Sequence, residues 1–314
     1  MGLWEKLGLI YSPKGTLDWS VSHATVPTAL HLKDDLYRVY FSTRNKINHN
    51  QVGSIELDIS NPDITLREAQ EPCLRTGPTG HFDCDGVYGT SVVTTKEGLL
   101  MYYAGWNAGQ RGLFYSNIGL AKSLDGGLTF QRVSSAPILG RDEIDPWMCA
   151  APFVLREKPN DWLMWYISGL KIETSGSEIE SRYHIKTARS KDGYAWIKTG
   201  QTAIELEDNE TNIARVSAVK VSQGYKFWYP YVSNAVKAYR IGHGFSEDGE
   251  TVTRNDSSVG ITTSKSGWDS EAITYPHVFL HKEYYYMLYN GNEYGRDGFG
   301  LARCPRSCIE DHSC

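Results

Sequence analysis

One aromatic-ended strand recurs through this chain at a nearly fixed interval, and that period limits the fold more than any other feature. Phe41-Ser42-Thr43, Tyr103-Ala104-Gly105, Tyr166-Ile167-Ser168, Tyr229-Pro230-Tyr231 and Tyr289-Asn290-Gly291 place their first aromatic at intervals of 62, 63, 63 and 60 residues. A further run follows each, at Val52–Ile55, Ile118–Ala121, Ile185–Ala188, Ile241–Gly244 and Phe299–Ala302. Residues 87 to 139 show the unit most fully. Short aromatic and aliphatic runs alternate there with Gly, Asp and Asn, which is the pattern of antiparallel strands joined by tight turns.

Repeats of about sixty residues with four strands each fit propeller blades, and five of them fill the chain. The expected fold is all-β: a five-bladed β-propeller with blades at about 22–75, 85–140, 145–205, 212–262 and 270–303, then a tail at 304–314. The last repeat holds only three strands before Cys304. Trp4 to Ile10 resembles the fourth strands that begin at Phe130 and Trp196, so residues 3–11 are expected to complete that blade and close the ring. Residues 1–303 then make a single domain with no long free edge. Ser123 to Phe130 fits S-x-D-x-G-x-T-F, and Ser190–Gly193 and Ser246–Gly249 repeat its Ser-x-Asp-Gly core. Asp125, Asp192 and Asp248 are accordingly turn formers whose carboxylates bond local backbone.

Twenty Tyr and nine Trp supply the packing between blades. A net charge of −5 argues against nucleic acid or an anionic membrane as partner, and no apolar run is long enough to span a bilayer. Met1 to Lys6 lacks the basic-then-apolar order of a signal peptide, so a cytoplasmic protein is expected. The six cysteines look like scattered thiols, and Cys304, Cys308, His312 and Cys314 lack the paired spacing of a zinc site.

In a propeller the first strand of each blade lines the central channel, and its leading end opens into a cleft. Counting back eighteen residues from the repeated aromatic reaches His23, Asp85 and Glu271. Asp145 lies twenty-one back in the third repeat and Arg215 fourteen back in the fourth. Packing would favour apolar residues at such positions, so ionisable ones point to a site. The candidate catalytic residues are Asp85, Asp145 and Glu271; the candidate substrate-binding residues are His23, Arg44, Asp83, Trp106, Trp147, Arg215, Tyr239 and Asn290. Turn formation by Asp83, Asp85 and Asp145 and a buried role for His23 are the competing readings. Trp106, Trp147, Tyr231 and Tyr239 suit stacking against a ligand and core packing equally.

Five repeats, acidic residues at the starts of first strands and Ser-x-Asp-Gly-x-x-Phe/Trp turns resemble the five-bladed propeller glycosidases. These are the arabinanase and xylosidase family 43, the fructosidase family 32 and the mannoside phosphorylase family 130. The resemblance implies a carbohydrate-active enzyme acting on a glycosidic bond, with a small carbohydrate or glycoconjugate as substrate. Family 43 enzymes place an Asp base in the first blade, an orienting Asp in the middle and a Glu acid later. Asp145 matches the middle Asp and Glu271 the acid, whereas His23 stands where the base would be. Cleavage needs a proton donor and a group that activates the acceptor, roughly 6.5–9.5 Å apart for inversion and about 5–5.5 Å for retention. Phosphate held by His23, Arg44, Arg215 and Arg240 would make a phosphorylase or a glycosyltransferase instead. A non-catalytic glycan-binding propeller is the third reading. No cofactor is expected, apart from room for a structural calcium ion at the channel centre, which has no dedicated motif.

Overall fold

A computed structural model describes residues 3–109, 114–175 and 178–310. After β1 (Glu5–Tyr11), the first antiparallel meander runs β2 (Ser22–Lys33), β3 (Leu36–Arg44), β4 (Asn50–Asp58) and β5 (Thr65–Glu68). The next is β6 (Gly86–Thr95), β7 (Gly98–Ala108), β8 (Phe114–Ser123) and β9 (Gln131–Arg132). Then come β10 (Cys149–Lys158), β11 (Asp161–Ser175), β12 (Glu178–Ser190) and β13 (Trp196–Ile204). A short β14 (Glu210–Ile213) precedes β15 (Ser217–Val221), β16 (Gly224–Ser233), β17 (Tyr239–Ser246) and β18 (Thr253–Arg254). Finally β19 (Thr274–His281), β20 (Tyr284–Asn290) and β21 (Phe299–Pro305) form a three-stranded run, and β1 pairs antiparallel with β21 as its fourth strand.

Apolar packing joins each meander to the next. Tyr40 packs with Met101 and Tyr103, Tyr102 with Met164, Trp165 with Phe227, and Trp228 with Met287. Leu288 and Leu301 then pack with Val39 and Phe41, so the last meander lies against the first. The Ser-x-Asp-Gly turns help to make these joints. Asp125 accepts from the amides of Leu128 and Thr129 and from the Thr129 hydroxyl; burial pushes its carboxyl up, and Thr129 and Ser123 outweigh that and bring it to about 2. The turn backbone then faces the preceding meander: Tyr40 donates to Gly127 O, Tyr102 to Gly193 O and Trp165 to Gly249 O. All three glycines have positive φ, and a Cβ on Gly127 would come within 2.1 Å of the Tyr40 hydroxyl.

Residues Arg306–Glu310 of the expected tail form one helical turn, with Ile309 buried. Cys73, Cys84, Cys149 and Cys304 are free thiols, whereas Cys308 is disulfide-bonded, a departure from the expected set of scattered thiols. Among the described residues no helix is long and apolar enough to cross a membrane.

Candidate functional site

The first strands are interrupted at one level. Register breaks fall between Thr25 and Thr28, Gly89 and Ser91, Ala150 and Phe153, and Thr274 and His277, and the fourth meander has a gap between β14 and β15. Val26, Ala151 and Tyr275 at these bulges take positive φ, a conformation that β-branched and aromatic residues rarely adopt. The bulges turn backbone carbonyls inward, and Arg215 answers them. Its guanidinium donates to Pro27 O (3.1 Å), Thr90 O (3.1 Å), Tyr275 O (3.0 Å), Pro276 O (2.8 Å) and the Thr28 hydroxyl (3.0 Å). The Thr90 hydroxyl reaches Pro152 O, so the network touches all the first strands. Arg215 is fully buried with no carboxylate partner among the described residues, and burial lowers its pKa to about 9. It is a bracket between meanders rather than a wall of an open site.

Directly above this bracket lies a cleft of two connected lobes. Val26, Tyr88, Ala151, Ala214 and Tyr275, one from each meander, line an apolar lobe of about 480 Å³ together with Trp106, Met148 and Phe114. A polar lobe of about 590 Å³ shares Tyr88, Phe114, Tyr183 and Tyr275 with it and adds Arg44, Tyr239, Glu271, Thr274, Glu293 and Tyr294. An aromatic wall with a few convergent polar groups is the usual make-up of a small-ligand site. The Tyr183 and Tyr239 hydroxyls meet at 2.6 Å, and burial raises both phenols. Glu293 and Tyr294 are consecutive residues with positive φ at the mouth, and Glu293 is ion-paired to Arg296 at 2.8 Å.

Of the expected site residues, the structure brings Arg44, Trp106, Tyr239 and Glu271 to the cleft wall. His23 is buried beside it: burial, then Arg44 and Arg296, lower its imidazole to about 4, and Ser22 bonds its Nδ1. Asp85 stands behind the wall, accepting from the Ala108 amide at 2.6 Å, with His49 at 3.6 Å. Trp147 lies outside both lobes and is 40% exposed. Asn290 is fully buried and ties β20 to β2 through Val26 N and Ala24 O. Tyr231 lies under the Arg254 guanidinium and outside the cleft, whereas Arg240 reaches its edge only to bond Tyr239 O and Glu271 O.

Asp83 and Asp145 belong to another arrangement, and both are fully buried. Asp83 accepts from Tyr103 (3.0 Å) and Arg132 (2.7 Å). Asp145 accepts from Tyr166 (2.8 Å), Ser168 (2.6 Å), Lys186 (3.1 Å) and Lys198 (2.9 Å). Asp269 repeats the pattern with Tyr289 (3.0 Å) and Lys6 (2.6 Å), and Asp256 with Tyr229 (2.7 Å) and Arg254 (2.6 Å). In each case the repeated second-strand Tyr and a fourth-strand cation clamp one carboxylate. With four donors on its two oxygens, Asp145 has little capacity left for a substrate.

The residues missed from the sequence, Tyr88 and Tyr275 above all, had a signal. Val26, Tyr88, Ala151, Ala214 and Tyr275 are spaced by 62, 63, 63 and 61 residues. The cleft floor therefore lies about fifteen residues before the repeated aromatic, the rim eighteen and the clamped Asp83, Asp145 and Asp269 twenty or twenty-one, whereas Asp256 lies twenty-seven after it. Among the described residues, no group of three His, Cys, Asp or Glu is placed to hold a metal ion.

No family model matches the chain. Two Mycobacterium tuberculosis proteins, Uncharacterized protein MT1551 and Uncharacterized protein Rv1502, are each 37% identical over 300 residues, covering 95% of this chain and 98% of theirs. Among solved structures, one described as a glycoside hydrolase superposes with a TM-score of 0.73 at 18% identity, covering 95% of this chain and 90% of its own. A structure from work on the GH130 mannoside phosphorylase family, reported to contain hydrolases of β-1,2 mannosidic linkages, gives 0.68 at 14% identity, over 98% and 94%. A thermostable family-43 glycoside hydrolase gives 0.67 at 13% identity, over 93% and 92%. The all-β fold is that of the glycoside-hydrolase-like propellers.

Proposed function

Since the chain belongs to the family of the mycobacterial proteins Rv1502 and MT1551, and shares its fold with glycoside-acting propellers, we propose that it is a carbohydrate-active enzyme working on a glycosidic bond. In this reading the meanders are the blades of one five-bladed propeller, spanning 1–303 and closed by β1 on β21. The observation that carries the proposal is Glu271 on the wall of an aromatic cleft fed by every first strand, with no cation partner among the described residues.

Glycosyl transfer requires a proton at the leaving oxygen and a group to receive the acceptor's proton. Glu271 is the proton carrier. The second carboxylate of the polar lobe is Glu293, held by Arg296, and it replaces Asp145, whose oxygens are occupied. Tyr88 and Tyr275 offer faces for a sugar ring, and Asp85 positions the Trp106 wall through the Ala108 amide. The test is release of aryl alcohol from a panel of aryl glycosides, with and without phosphate, by the wild type, Glu271→Gln and Glu293→Gln. Release lost in Glu271→Gln supports the proposal; dependence on phosphate selects a phosphorylase over a hydrolase. Ligand binding without turnover of any glycoside, unchanged in Glu271→Gln, would replace it with the glycan-binding reading.

A further inference from the structure

We propose that the polar lobe contains a seat for an oxyanion centred on Arg44, filled by a carboxylate, sulfate or phosphate ester on the sugar or by a free inorganic anion. The inference rests on the glycosidic reading and names the chemical class that the site selects. Arg44 ends β3, is half-buried and lines the lobe, yet no carboxylate among the described residues pairs with it. Other arginines held in the protein do have such partners: Arg38 has Glu56, Arg132 has Asp83 and Arg254 has Glu210. Arg215 has none among the described residues, but five oxygens accept from it. Keeping a guanidinium partly out of water without a counter-charge is unfavourable unless another group compensates.

Arg44 shares its strand pair and its lobe with other donors. Asn50, opposite it in the β3–β4 register, is buried with its side-chain amide directed at the Tyr88 phenol. Thr274 lines the same lobe at 1% exposure, and its hydroxyl is unpartnered. Both Arg44 and Asn50 act on the Tyr88 phenol, opposing the rise that burial imposes on it. Lys237 adds a second positive charge at the edge of the lobe. Donors that share a lobe with a guanidinium lacking a carboxylate partner among the described residues complement an anion's lone pairs, and the planar fork favours bidentate contact with carboxylate or phosphate oxygens. From that seat the Tyr88 and Tyr275 rings lead into the apolar lobe, where the uncharged part of the sugar would lie.

The experiment is calorimetric titration of the full chain in phosphate-free buffer. The probes are matched aryl hexosides and aryl uronides in the gluco, galacto and manno series, with inorganic phosphate and sulfate alone. Arg44→Gln should weaken the anionic probes about 10–100-fold, the range of one charge-assisted contact, and leave neutral hexosides within about two-fold. Arg44→Lys should keep part of the anion affinity. Thr274→Val should lose a few-fold without lowering the melting temperature, since no protein group is deprived of a partner. Saturable phosphate or sulfate binding that competes with uronides assigns the seat to a free anion, and uronide binding without it assigns the charge to the sugar. Either outcome supports the seat. Equal affinity for neutral and anionic probes, or indifference to Arg44→Gln, overturns it, as does failure of the wild type to bind any anion. If Arg44→Gln does not fold, Arg44→Lys and Thr274→Val carry the test. Because binding is read without turnover, an inactive protein that holds anions through Arg44 removes only the enzymatic reading. An active one that ignores charge removes only the seat.

Discussion

The belt of clamped aspartates and the cleft draw on the same residue types and use them in opposite ways. In the belt, Asp83, Asp145, Asp256 and Asp269 are each clamped by a tyrosine and a cation of their own meander, although one oxygen of Asp83 keeps no partner. In the cleft, Glu271 and Arg44 line one lobe without an ion-pair partner among the described residues, and Thr274 keeps an unused hydroxyl. Polar groups that complete one another hold a fold together; polar groups left incomplete are available to a ligand. Backbone strain separates the two regions as well. Val26, Ala151, Tyr275, Glu293 and Tyr294, all of positive φ, line the cleft.

The sharpest way to break this contrast is at the Arg215 bracket under the cleft. Arg215→Met should destabilise the fold by about 3–5 kcal/mol, because carbonyls of three first strands lose their donor at once. Urea unfolding measures this, and an unchanged midpoint would show that the bracket is dispensable. Asp145→Asn should cost about 3 kcal/mol by leaving Lys186 and Lys198 short of a counter-charge. The same variant carries a pH signature. Burial pushes the Asp145 carboxyl up, but Lys198, Ser168 and Tyr166 outweigh it and hold it below its usual value. Its stabilisation is therefore complete above roughly pH 4 and lost as pH falls through the lowered pKa. Wild-type melting temperature should drop in acid by a component that Asp145→Asn lacks.

Glu271→Gln should do the reverse of Asp145→Asn, lowering turnover at least about 100-fold while the melting temperature stays put. Loss of stability in this variant would place Glu271 with the belt. His23, neutral and lowered to about 4, stabilises the fold fully above about pH 6.5 and loses that contribution as pH falls toward 4. His23→Gln should flatten stability across that window by roughly 1–3 kcal/mol, as read from pH-dependent unfolding. Smallest of all, Tyr294→Gly should relieve positive-φ strain and raise stability by at most about 1 kcal/mol, while ligand affinity falls. A variant that loses stability instead would show that the Tyr294 ring, 6.0 Å from Tyr239, matters more to packing than to the ligand.

The chain's order alone established the strand-and-turn rhythm, the repeat of its second-strand aromatics and the local bonding of Asp125, because each depends on neighbours a few residues apart. The partners of Asp83 and Asp145 were out of reach, since Arg132 and Lys198 lie forty-nine and fifty-three residues further on. Counting back eighteen residues found the rim but missed the floor three residues later, because the bulges that aim Val26, Tyr88 and Tyr275 inward are set by pairing across strands. Whether a charge is clamped or left open depends on what other segments bring to it, so only the tertiary structure separated Asp145 from Glu271 and Arg215 from Arg44.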